Sequence, residues 1–464
     1  MEKLRATLRD SKTARWTALG IVAFTMFCGY FLADIMSPLK GLLEEQLRWS
    51  SSEYGFFTSA YGWFNVFLLM LIIGGIILDK MGVRFTGLMA ASVMVAGTAI
   101  KYWAISTHVL DDQVWHILWF DMKAQVFMAA LGFAIFGVGV EVAGITVTKV
   151  IVKWFKGKEM ALAMGLQVAI ARIGTALALS TGVPVARLFH HVSAPVLLCL
   201  ILLVIGLLTF FIYTFMDKKL DKETEAIRIE SGEEKDDNTF RFSDIVVIFK
   251  NKGWWYIAIL CVLFYSAVFP FLKFAQDLMV NKFHVSENLA GLIPAMLPFG
   301  TILLTPLFGG IYDHKGKGAT IMIIGSVLLV VVHGFFAIPV LNNWILAVVL
   351  TIFLGIAFSL VPSAMWPSVP KIVPERRLGT AYAMIFWVQN WGLMGVPALI
   401  GWVLEKWCIT GQIIRNGSLV HTYNYTLPML IFMGFGVLGV LFAVLIKIED
   451  RKKGYGLELP NIEK

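Results

Sequence analysis

Charge is what this chain has least of. Of its 464 residues only 15% are Asp, Glu, Lys or Arg, while 58% are hydrophobic and the mean hydropathy is +0.76. Soluble domains carry about a quarter charged residues, so an ordinary water-soluble globule is excluded. Cysteine is also scarce. Cys28, Cys199, Cys261 and Cys408 stand far apart without a CxxC pair, which excludes a disulfide framework and a thiolate metal site. No phosphate-binding P-loop, hydrolase nucleophile elbow or metal-ligand cluster is written in the chain. The sequence therefore points away from an ATP-driven pump and from an enzyme, and implies neither metal nor cofactor. The net charge of +8 is not gathered into a basic stripe with interleaved aromatics, so nucleic acid is not an expected partner.

What is present is a series of long apolar runs. They lie near 16 to 36, 54 to 78, 85 to 106, 124 to 149, 160 to 183 and 193 to 215, and again near 254 to 280, 287 to 311, 318 to 338, 343 to 367, 378 to 404 and 425 to 447. The first run follows Lys3, Arg5, Arg9, Lys12 and Arg15 and reaches Met36 without a small-residue cleavage site, so it reads as an uncleaved helix. Residues 217–253 turn polar, with Lys218, Lys219, Lys222 and the run Glu233 to Asp237, a composition that solvates a linker. The expected fold is an all-α membrane protein with twelve transmembrane helices in two six-helix bundles. Its domains would be 1–216, a linker 217–253, and 254–464.

Lys80 and Arg84, Lys153 and Lys158, Lys315 and Lys317, Lys371, Arg376 and Arg377, and Arg451 to Lys453 all fall in loops on one side. Basic loops face the cytosol, so both termini are expected there. The segment 107–123, with Asp111, Asp112, Asp121, Trp115 and Trp119, suits an external interfacial piece that could hold a short surface helix. Asn416-Gly417-Ser418 and Asn424-Tyr425-Thr426 are glycosylation tripeptides in a second external loop, of use only in a secretory-pathway host.

The two halves echo one another. Gly75 to Asp79, then Lys80, Gly82 and Arg84, recurs as Gly309 to Asp313, then Lys315, Gly316 and Lys317. This doubled loop resembles the signature of the major facilitator superfamily, whose six-helix repeats rock around a midplane site. Asp79 would meet a helix N-terminus and pair with Arg84 as a latch, and Asp313 would repeat that role. A closer resemblance, to the branch holding the animal lysosomal dipeptide uniporters, rests on Tyr30-Phe31 with Asp34, Met164 to Gln167, Ala171 to Gly174, Ala267 to Phe271, Met365 to Pro367, Leu378 to Tyr382 and Gln389-Asn390. It implies that Glu141 and Arg172 are the branch's substrate-binding acid and arginine. Valine at 140 departs from the branch's usual glycine.

The same pair emerges from spacing. Glu141 lies thirteen residues before Trp154 and Arg172 thirteen residues after Glu159, so both sit roughly 20 Å from one loop, near the middle of the bilayer. A charge at that depth costs several kcal/mol unless it faces a cavity or a partner. The two could hold the ammonium and carboxylate ends of a zwitterion, or could merely brace their helices as an ion pair. Trp366, Trp387, Gln389, Asn390, Tyr30 and Gln167 are further binding candidates, with Tyr61 and Asn65 behind them. Asp34, Lys273 and Asp277 are candidates for an external gate, although Lys273 and Asp277 also fit a local i,i+4 pair. His333 reads as structural.

The expectation is a secondary or facilitative transporter of dipeptides or related amino-acid derivatives, seated in a lipid bilayer and coupled to a gradient or to protons. An organic-anion or phosphate-ester carrier using Arg172, or a non-transporting scaffold or receptor, are the alternatives. A bacterial inner membrane is favoured as its place, or a lysosomal membrane in a eukaryote.

Overall fold

The computed structural model describes residues 7–111, 113–117, 120–155, 158–231, 242–374 and 377–461. Asp112, Trp119, Lys156, Gly157, the Glu233 to Asp237 run and Arg376 lie outside the described residues. The helices in order are α1 (Lys12–Ile35), α2 (Lys40–Leu47), α3 (Ser51–Ser59), α4 (Trp63–Phe67), α5 (Met70–Ser106), α6 (Ala124–Phe155), α7 (Met160–Leu188), α8 (Ala194–Ser231), α9 (Phe242–Phe249), α10 (Lys252–Phe283), α11 (Glu287–Ala290), α12 (Leu292–Lys315), α13 (Gly318–Ala337), α14 (Trp344–Ile372), α15 (Leu378–Trp407) and α16 (Thr426–Lys453). Two hairpins complete the chain: β1 (Val114–Ile117) with β2 (Phe120–Lys123), and β3 (Ile409–Arg415) with β4 (Ser418–Tyr423).

Among the described residues eleven helices are long and apolar enough to cross a membrane. One of them, α5, is broken at Gly82 (φ 76, ψ 174), and its first part continues α3 and α4, which brings the crossings to twelve. The second span is thus less regular than the hydropathy suggests. A 3-10 turn at Ala60–Gly62 and a left-handed Leu69 (φ 53) interrupt it.

The twelve crossings form two bundles with matching packing. In the first, α1 lies against α7 and α8; in the second, α10 lies against α15 and α16. The repeated loop has one conformation in both halves, since Gly82 and Gly316 (φ 69, ψ −140) each adopt a positive φ with extended ψ. Only glycine occupies that region without strain, which explains why the residue recurs. The 217–253 segment departs from a uniformly solvated linker. Helix α8 continues through it to Ser231, and Asp217 is buried in the first bundle (1% exposed). Among the described residues of the 107–123 segment, β1 and β2 form a hairpin and no helix is present.

With an even number of crossings both termini emerge at one end, together with the Gly82 and Gly316 loops. The two hairpins mark the other end. The bundles meet mainly through α3 against α15 and α7 against α12, with α10 crossing the turn at Ser37–Leu39.

Candidate functional site

Arg172 stands midway along α7, and its guanidinium carbon lies 5.7 Å from the Tyr30 ring, 5.4 Å from Phe269 and 5.3 Å from Phe358. Tyr30 is on α1, whereas Phe269 and Phe358 come from α10 and α14 of the other bundle. Three ring faces offset part of the cost of a cation there, each on the order of 0.5–2 kcal/mol. Among the described residues Arg172 makes no ion pair.

Glu141 reaches the same region from α6 and is half-buried. Its Oε1 accepts a hydrogen bond from the Tyr61 hydroxyl at 2.7 Å, and no cation neutralises it among the described residues. Tyr61 is held by its ring against Phe133, and Asn65 steadies the same turn by donating to the Gly137 carbonyl. The cross-brace between Glu141 and Arg172 is therefore not formed. One acid and one base face the middle of the molecule, and each lacks a partner of opposite charge.

The wall on the second bundle is aromatic. Trp366 donates through Nε1 to the Tyr265 hydroxyl at 3.2 Å and stacks on Phe386 at 4.9 Å. Tyr265 in turn meets Phe358 and Phe269, so the indole is connected by ring contacts to Arg172. Phe358, Tyr265 and Phe386 were not singled out in the sequence, and Phe269 appeared only within the Ala267 to Phe271 motif. Phenylalanine in an apolar span carries no distinguishing signal.

The other binding candidates take separate positions. Trp387 donates to the Val66 carbonyl at 3.0 Å, bridging α15 to α4, and meets Trp391 edge to face. Gln389 and Asn390 are buried inside the second bundle, the first accepting from Cys261, the second donating to the Phe386 carbonyl. Gln167 is half-buried on α7 without a hydrogen bond among the described residues. His333 is wholly buried, bonded to the Ala267 carbonyl among aromatic rings, as a structural residue should be.

At the hairpin end the bundles are tied together. Lys273 does not pair with Asp277. Its Nζ reaches across to Asp34 at 2.7 Å and to the Ala33 carbonyl, while Thr175 donates to the other Asp34 oxygen. Asp277 instead receives Lys40 at 3.0 Å and the Tyr425 hydroxyl. Side chains four apart on one face of α10 take different partners because that face crosses the turn at Ser37–Leu39, which has Asp34 before it and Lys40 after it.

Around this pair the β3–β4 hairpin of the second bundle grips the first. Asn416 donates to Glu45, and the His421 amide and Tyr423 hydroxyl donate to Glu44. Arg187 holds Glu45 with two bonds of 2.9 Å and reaches Glu287, which also pairs with Arg415. The Asn416 amide of the first glycosylation tripeptide is thus engaged in the interface. Burial, together with the Glu44 and Asp277 carboxylates, pushes the Tyr423 and Tyr425 hydroxyls up, so both stay protonated and donate.

At the termini end the described ion pairs stay within one half. Asp79 pairs with Lys149 at 2.7 Å and not with Arg84, because the turn at Gly82 directs the two side chains apart. Arg84 goes to Asp221 at 2.9 Å. Asp313 is held by Asn461 of the tail. The hub is Asp217, which accepts from Lys153, Trp154 Nε1 and the Tyr213 hydroxyl. Asp217→Asn is expected to cost about 1.5–3 kcal/mol, because the buried Trp154 and Tyr213 donors lose a charged acceptor while Lys153 keeps Asp221 at 2.6 Å. Asp79→Asn, at a half-exposed pair, should cost under about 1 kcal/mol. Thermal unfolding in detergent measures both, and equal shifts would contradict the assignment.

The model of the Major Facilitator Superfamily matches residues 20–397 and 274–460. The chain is 28% identical over 405 residues to the lysosomal dipeptide transporter MFSD1 of Mus musculus, covering 84% of this chain and 80% of that one. It is 25% identical over 455 residues to the corresponding protein of Danio rerio, covering 96% and 89%. Among solved structures, a bacterial homologue of the human lysosomal transporter Spinster, in an inward-facing and occupied conformation, superimposes with a TM-score of 0.70 at 12% identity. That match covers 95% of this chain and 98% of the other.

Proposed function

Because this chain belongs to the major facilitator superfamily and is a multi-pass membrane transporter, we propose that it carries dipeptides by alternating access, with Glu141 taking the amino end and Arg172 the carboxylate. One observation carries the reading. The acid and the arginine face the same central region from the first bundle, yet each lacks a countercharge: the Tyr61 hydroxyl bonded to Glu141 is neutral, and the neighbours of Arg172 are rings. A zwitterion would supply both missing charges at once. Each charge-assisted bond so made is worth about 1.5–3 kcal/mol. The mouse and zebrafish relatives are dipeptide transporters, which agrees with this class of substrate.

Rocking follows from where the bundles are joined. Ties at the hairpin end hold that gate shut, whereas the described ion pairs of the termini end stay within one half. Since Arg172 touches rings of both bundles, ligand capture at that point bears directly on their relative position. Asp79 and Asp313, held within their own halves here, are free to take new partners as the termini end closes. With the basic loops in the cytosol, the tied hairpin end is the outward-facing one.

The test is uptake of labelled dipeptides, with phosphate esters and organic anions as competitors, by proteoliposomes holding the purified protein. Saturable dipeptide uptake, unaffected by the anions, is the expected result. Flux of phosphate esters instead would move the assignment to an anion carrier, and absence of all flux would favour a scaffold. In intact cells an impermeant thiol reagent should label Gln113→Cys and spare Lys222→Cys, against a background of four buried native cysteines.

A further inference from the structure

At the termini end, away from the central site, a cavity of about 590 Å³ opens between the start of α10, the end of α16 and the short helix α9. Lys250, Lys252, Lys452 and Lys453 line it, with Glu449 and the Tyr455 phenol. All four lysines are exposed, and none makes an ion pair among the described residues. Four ammonium groups against one carboxylate leave a strong local excess of positive charge. Other lysines at this end, such as Lys218, Lys219 and Lys222, are exposed and unpaired as well among the described residues; what sets these four apart is that they line one cavity.

The apolar surface beside the cavity points to what the charge is for. Val246 (56% exposed), Val247 and Phe249 present an uncovered face along α9, and Val247 also lines the cavity. Phe249 stacks on Trp255 at 5.4 Å, and the Trp255 indole donates to the Phe249 carbonyl, which fixes α9 against the start of α10. Tryptophan at this level marks the membrane–water boundary. A short helix with an apolar face, lying at that boundary beside clustered lysines, suits a ligand with an anionic head and a hydrocarbon tail.

We propose that this cavity binds an anionic phospholipid, the lysines and Tyr455 taking its phosphate and α9 its acyl chain. Ammonium groups on flexible stems suit phosphate as point charges, without the planar fork that a carboxylate would favour. A free phosphate would use the lysines but leave the α9 face uncovered. The site is separate from Glu141 and Arg172, so it stands whatever the transported substrate.

The experiment compares lipid binding to the full chain in detergent by native mass spectrometry. Phosphatidylglycerol should bind about tenfold or more tightly than phosphatidylcholine, and soluble glycerol phosphate far more weakly than the lipid. The variant K250Q/K452Q/K453Q should lose that preference. The variant K218Q/K219Q/K222Q removes three exposed lysines of the same end outside the cavity and should bind within about twofold of the parent. Circular dichroism melts of both variants without lipid show that each is folded. Equal losses in the two variants would reduce the effect to general surface charge and overturn the site. Absence of a phosphatidylglycerol preference would also overturn it, and glycerol phosphate binding as tightly as the lipid would replace it with a free-anion pocket.

Discussion

Replacing Arg172 by lysine is expected to weaken free-acid dipeptides by about tenfold to a hundredfold while leaving C-terminally amidated ones within about twofold. Lysine keeps the charge but loses the planar fork that can hold a carboxylate with two bonds, and it stacks less well on aromatic faces. The ring contacts to Tyr30, Phe269 and Phe358 already hold the guanidinium plane in this structure, so the loss is geometric rather than electrostatic. Glu141→Gln should show the opposite selectivity, penalising free-amine peptides more than N-acetylated ones by a similar factor of about 10 to 100. Tyr61 can still donate to the glutamine carbonyl, so the side chain stays placed while its charge goes. Binding of the four end-capped peptide forms to each variant decides the matter. A loss independent of the caps that follows the unfolding temperature would mean that both residues serve folding alone.

The second large effect is expected at the closed gate. A side chain built on Gly401 would drive its Cβ into the Ser51 carbonyl oxygen and place it 2.8 Å from the Gly55 Cα, and one on Gly55 would meet the Pro397 carbonyl at 2.6 Å. These contacts are backbone against backbone, between α15 of one bundle and α3 of the other. Small residues let helices approach this closely, and nothing there can swing aside. Gly401→Leu should therefore disfavour the closed hairpin end by about 1–3 kcal/mol or more, shifting the two-state balance tenfold to a hundredfold.

Each bundle should survive, since leucine is a better helix former than glycine by about 0.8–1 kcal/mol and the clash lies between bundles. Spin labels at Gln113 and Gln412, on the two exposed hairpins, should report a longer separation in the variant, with transport slowed in proportion. An unchanged separation with full uptake would show that α3 and α15 do not form the gate.

The gate also shows where reading the chain alone stops. Lys273 and Asp277 are four apart on one helix, and the local rule joins them. The structure sends Lys273 to Asp34 and Asp277 to Lys40, more than two hundred residues away in sequence. Likewise Asp79 takes Lys149 from α6 in place of its near neighbour Arg84. Glu44, Glu45, Glu287, Arg187 and Arg415 form a charged cluster at the same end, joined across the bundles by Arg187 to Glu287 and His421 to Glu44, and had no recognisable pattern at all.

The apolar runs and their number were determined by the sequence, because a bilayer demands about 20 apolar residues per crossing whatever the neighbours. The doubled Gly82 and Gly316 loops were legible for a similarly local reason: a positive φ with extended ψ admits almost nothing but glycine. Glu141 and Arg172 stood out because charge at the midplane is costly enough to be rare. The tertiary structure alone decided that these two charges stay apart, which rings surround the arginine, and which end of the molecule is tied shut. Ion pairs and ring contacts depend on distances between elements remote along the chain, and residue spacing carries no record of those distances.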